Sequence, residues 1–129
     1  MTIAKAIYRT VVLVSFVLIT TLALAQAESL KPAVILPTEL EFAPNPAGYQ
    51  IAKVVGDSTK PGPYAIRLRF PAGLRIEPHF HPDNRIVSVI SGTVYVGYGD
   101  RFDETKLKAV PAGGFWTEPA GQPHFALTK

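Results

Sequence analysis

An all-β domain is what this sequence predicts, an antiparallel sandwich or barrel. Two observations carry that expectation. From Tyr49 onward the chain is a series of runs of 4–8 residues rich in Val, Ile, Phe and Tyr. The chain has 10 glycines and 12 prolines, and many of them recur between these runs at intervals that suit turns. A third observation removes the competing class: no stretch after residue 27 shows apolar residues at helical spacing.

The elements follow in order. Residues 1–27 stand apart from the domain. Lys5 and Arg9 precede an uncharged run, "VVLVSFVLITTLALA", from Val11 to Ala25, and the small residues "ALAQAES" follow. This is the three-part layout of a secretory signal peptide. At about 15 residues the apolar run is shorter than the ~20 that a membrane helix needs. Cleavage is expected after Ala27, or after Ala25, leaving a domain over 28–129 with no stable membrane anchor, periplasmic or secreted. Glu28 to Pro46 is a proline-punctuated lead-in, where "AVIL" is a candidate edge strand. The expected strands are then "YQIAKVV", "PYAIRLRF", "LRIEPHFH", "RIVSVI", "TVYVGYG", "LKAV", "GFWTEP" and "HFALT". The breaks between them, such as "GDSTKPG", "PDN", "SG" and "PAGQP", hold the residues that turns require. In "IRLRF", Ile66, Leu68 and Phe70 take one face, and Arg67 and Arg69 take a solvated one.

Charge and composition exclude some functions. The 13 Lys and Arg stand against 10 Asp and Glu, but Lys5 and Arg9 lie in the leader, so the domain holds 11 against 10. With no basic tract, nucleic acid is not an expected partner. The chain has no cysteine, so disulfides and thiolate metal sites are excluded. A domain of this size buries roughly 60–65% of its unfolded surface, a modest core that a homodimer would help.

The chemistry concentrates in "EPHFHPDNR", residues 77–85. Residues i and i+2 of a strand point to the same side, so His79 and His81 aim two imidazoles one way, with Phe80 turned into packing. The third and last histidine is His124, after the "PAGQP" turn. Glu77 shares the face of the histidine pair, with Pro78 able to disturb the register. Tyr95, Phe115, Trp116 and Phe125 are aromatic candidates for pocket walls, with plain core packing the alternative for each.

The frame around these residues resembles the cupin superfamily. Gly73, His79, His81 and Gly92 fall on the first cupin motif, with Arg85 at its glutamate position. Gly113, Pro119, Gly121 and His124 fall on the second, with Thr128 at its asparagine position. "HPDNR" and "SGTVYVGYGDRFD" are also similar to stretches of a subgroup of small single-domain exported bacterial cupins. The resemblance implies a cupin-type double-stranded β-helix, a jelly-roll barrel, with a metal in its mouth. It implies His79, His81 and His124 as ligands of one divalent transition metal ion, whether Zn, Fe, Mn, Ni or Cu. The glycines and Pro119 become turn-formers, with Gly92 in the "SGT" hairpin. Only five residues follow His124, so a barrel truncated at the C-terminus is expected, with an exposed edge near Phe125–Thr128 or a partner chain covering it.

An arginine cannot ligate a metal. Arg85 therefore has three readings: it turns to solvent, it pairs with Glu77, Asp83 or Glu118, or it binds an anionic small-molecule ligand beside the metal. Second-shell partners for the imidazoles are expected among backbone carbonyls, Glu77 and Glu118. The functional expectations are a metal-dependent oxygenase or hydrolase/isomerase acting on a small anionic substrate, a non-catalytic metal- or ligand-binding module, or a metal-free structural cupin. No residue is assigned a catalytic role by the sequence.

Overall fold

The computed structural model describes residues 29–129. The leader and its cleavage point lie outside the described residues. Among the described residues nine strands form three antiparallel sheets. The strands are β1 (Ala43–Pro44), β2 (Gln50–Val55), β3 (Ala65–Arg69), β4 (Arg75–His79), β5 (Arg85–Ser88), β6 (Thr93–Tyr98), β7 (Lys108–Pro111), β8 (Phe115–Glu118) and β9 (His124–Leu127). One sheet has the order β1-β2-β3, a second β4-β9-β6-β7, and a third pairs β5 with β8. The described residues hold no α-helix, only 3-10 turns at Pro37–Glu39 and Glu104–Lys106. Seven of the eight strand runs expected from Tyr49 onward contain one of the strands, and the eighth, "LKAV", overlaps β7, which runs one residue further to Pro111.

"AVIL" does not form an edge strand. Pro37 opens a 3-10 turn behind it. The Leu36 N–H donates to the Glu39 carboxylate at 2.6 Å, and the Glu39 N–H donates to the Leu36 carbonyl at 3.0 Å. The backbone there is satisfied locally, so no ladder is needed. The short strand of the lead-in is β1, further on, paired with β2 through Ala43↔Ile51.

The C-terminal expectation is overturned. β9 is an interior strand, paired with β4 on one side and β6 on the other. Phe125, Ala126 and Thr128 are buried. Thr128, at the position of the family's asparagine, explains part of this. Its hydroxyl donates to the Pro71 carbonyl at 2.5 Å and accepts the Leu74 N–H at 2.9 Å. The Thr128 N–H donates in turn to the Leu74 carbonyl at 2.9 Å. The chain end is thereby sewn to the turn that carries Gly73, and the edges of this sheet are β4 and β7.

The core is small, as the length implies. Its fully covered apolar side chains are Ala52, Val89, Val96, Phe125 and Ala126. Phe125, with no exposed surface, lies over Gly97, its cross-strand partner. A Cβ on Gly97 would stand only 2.4 Å from that ring, so only glycine leaves room for it. Phe102 packs on Phe125 at 5.0 Å between ring centroids, and the Arg75 guanidinium stacks 3.8 Å over Phe102. The motif glycines do form turns: Gly73, Gly92, Gly113 and Gly121 all have φ between 71° and 84°.

Candidate metal centre

The histidines converge because of strand register. His79 and His124 are directly paired partners on β4 and β9, and directly opposed residues share a face of the sheet. The ladder shifts between Ile76 and His79, where Pro78 has no N–H to offer. His81 lies just beyond the end of β4, on the same side as His79. Its carbonyl accepts the Gly121 N–H at 2.8 Å, and Asn84 accepts the Ala120 N–H at 2.9 Å. These two bonds clamp the loop after β4 to the turn before β9. The ring centroids lie 4.9 Å apart for His79–His81, 4.4 Å for His79–His124 and 5.1 Å for His81–His124. One ring nitrogen of each lies within 4.8 Å of the others.

Hydrogen bonds set which nitrogen faces inward. His79 Nδ1 lies 2.9 Å from the Glu77 carbonyl, and His124 Nδ1 lies 3.0 Å from the Gln122 carbonyl. A carbonyl only accepts, so both Nδ1 atoms carry the proton in the neutral rings. The Nε2 lone pairs are left for the centre, the arrangement that second-shell carbonyls give to metal-binding histidines. His124 is only 3% exposed, and its Nε2 has no hydrogen-bond partner. A buried polar atom without a partner is costly. The donor set therefore fits a cation: three imidazoles converge, and the Nε2 of the most buried one has no hydrogen-bond partner. His81 is pushed toward its neutral form, first by burial and then by the Arg85 charge. The neutral imidazole is the form that ligates.

Glu118 is the residue that sequence reasoning under-valued. It entered only as a second-shell candidate or as an acid for Arg85. In the structure it is 8% exposed, at the inward end of β8. Its Oε2 lies 3.4 Å from His81 Nε2, and its Oε1 lies 3.4 Å from His124 Nε2. The Trp116 Nε1–H donates to Oε1 at 3.0 Å and holds the carboxylate there. The signal was present as the one acid of β8, two residues from Trp116 and so on the same face.

Arg85 pairs with an acid, one of its three expected roles, and the acid is Asp83. Nε donates to Oδ2 and Nη2 to Oδ1, both at 3.1 Å, a two-pronged grip. The Tyr64 hydroxyl donates to Asp83 Oδ2 at 2.5 Å. The Arg85 hydrogen bonds, then the Tyr64 one, hold the Asp83 carboxyl down at about 2. Glu77 is turned away, exposed and paired with Arg75 at 2.7 Å. Only its carbonyl serves the histidines.

The other side chains divide. Phe80 is 65% exposed and does not enter packing, because β4 ends before it and no layer covers that side. Phe115 is also exposed. Phe125 is core, on the face of β9 opposite His124, and Tyr95 shares that opposite face through its pairing with Leu127. Trp116 alone of the four aromatic candidates reaches the centre, through Glu118. Tyr98, which pairs with His124, sends its hydroxyl 2.6 Å to the Thr117 carbonyl and so ties the four-stranded sheet to β8.

Comparison with known proteins places this geometry. No protein-family profile matches the chain, and no curated protein matches it. Solved structures do. KdgF from Halomonas sp. superposes with a TM-score of 0.61 at 19% identity, over 76% of this chain and 83% of that one. An RmlC-like cupin from Shewanella frigidimarina superposes with a TM-score of 0.56 at 14% identity, over 75% of this chain and 80% of that one. At such identities the likeness is one of fold: the chain folds as these two cupin structures do, into a jelly-roll barrel.

Proposed function

We propose that this cupin binds one divalent transition metal through His79, His81 and His124. The observation that carries the reading is the buried Nε2 of His124, which lacks a partner and faces two further imidazoles. Bound there, a divalent ion supplies a Lewis acid and a water of lowered pKa. The chain's own part is to fix the imidazole tautomers through the Glu77 and Gln122 carbonyls, and to hold the loop around residues 81–84 against the turn around residues 120–121. Such a centre suits a hydrolase, isomerase or oxygenase acting on a small molecule, in a protein exported by its leader.

Metal analysis of the purified protein tests this. Close to one zinc, iron, manganese, nickel or copper per chain is expected, falling to near zero in His124→Ala. Equal content in the variant and the wild type would overturn the reading. A second reading, an anionic substrate held by Arg85, is favoured by one observation. Asp83 occupies only two of the five N–H donors of a guanidinium that is partly open to solvent.

A further inference from the structure

The first cupin motif is missing its glutamate here, and Arg85 stands in its place. Arg85 pairs with Glu118 across the β5–β8 ladder, Cα opposite Cα. Opposite charges so placed would ordinarily bind each other. They do not: Arg85 turns to Asp83, and Glu118 turns to the histidines. We infer that Glu118 is a fourth protein ligand of the metal centre, the carboxylate having moved across the ladder from β5 to β8. This deepens the three-histidine reading and rests on it.

Three independent features point the same way. First, in the neutral ring of His124 the Nε2 carries a lone pair, since Nδ1 holds the proton for the Gln122 carbonyl. That lone pair faces a carboxylate oxygen at 3.4 Å, acceptor against acceptor, and the pair becomes favourable when a cation lies between them. Second, the carboxylate spans two of the three imidazoles: its Oε2 lies 3.4 Å from His81 Nε2 while its Oε1 lies 3.4 Å from His124 Nε2. Third, the carboxylate is buried and held in orientation by Trp116, as a ligand must be. Arg85 then has its explanation. A cation near a divalent ion is tolerable with an anion interposed, and this chain supplies its own in Glu118, with Asp83 on the far side of the guanidinium.

The test is zinc affinity of the full chain, measured by competition with a chromophoric chelator, in wild type, Glu118→Gln and His79→Ala. Loss of an outer partner costs metal sites about 10–100-fold. Glu118→Gln is expected to weaken zinc by more than about 100-fold, into the range of His79→Ala. A smaller loss overturns the inference while leaving the histidine centre intact. A wild type that binds no zinc removes the histidine reading and this inference together. A second measurement decides if Glu118→Gln does not fold. The chain holds six glutamates, and wild type labelled at their carboxyl carbons should show one resonance displaced on adding one equivalent of zinc. Glu118→Asp assigns it. A spectrum in which zinc displaces no glutamate carboxyl carbon overturns the inference.

Discussion

Two antiparallel ladders, β4–β9 and β5–β8, each present one directly opposed pair to the same space: His79 with His124, and Arg85 with Glu118. The first is a pair of like groups, and the second is a pair of opposite charges. Pairing rules would make the charged ladder self-sufficient and leave the histidine ladder in need. The structure divides them otherwise. Asp83 takes Arg85 from within its own segment, and Glu118 is released to the ladder that lacks a partner. The lesson is that a residue's partner is set by competition among neighbours, and a short-range acid two positions away can redirect a cross-strand one.

That division can be broken from either side. The largest effect is expected at the histidine ladder. Replacing His124 should abolish measurable metal binding, while Arg85→Lys should leave metal content within about twofold of wild type, since lysine keeps the charge near Asp83. Metal analysis of both proteins, dialysed side by side, checks the contrast. Equal losses in the two would mean that the ladders are one unit. A smaller effect is expected behind the histidines. Gly97→Ala drives a methyl group into the Phe125 ring, and overpacking of this kind costs about 1–3 kcal/mol. The melting temperature should fall by roughly 4–8 °C per kcal/mol. Metal affinity should drop with it, because Phe125 and His124 are adjacent on β9. An unchanged melting temperature would show that the ring has room to move. The smallest effect is expected at Asp83. Asp83→Asn removes the charge that holds Arg85, which is then free to turn toward Glu118 and compete for it. Zinc affinity should fall by several-fold, and a value equal to wild type would show that Arg85 has no reach to the carboxylate.

Much of this was legible in the residues, and the limits have physical causes. The β-rich runs "TVYVGYG" and "RIVSVI" located strands because composition and turn punctuation are local properties. The convergence of His79, His81 and His124 was readable from two spaced motifs. Burial was not, since alternation tells which way Phe80 points and says nothing of whether a layer covers it. The interior place of β9 depends on register with strands far away in sequence, which five residues after His124 could not reveal. Glu118 was seen and not chosen for the same reason: its nearness to His81 arises from the pairing of β5 with β8.

The His79–His124 pair joins positions 45 apart in the chain, and the Thr128 to Pro71 bond joins positions 57 apart. Contacts of such range form late, after the entropy of closing long loops has been met. A partly folded chain offers a metal only His79 and His81, a two-point chelate that any flexible peptide with this spacing could provide. The third nitrogen arrives only when β9 slots between β4 and β6. On the proposed metal reading, tight uptake becomes a kinetic readout of barrel closure: in a refolding experiment it should lag the appearance of strand signal and coincide with the last phase of folding.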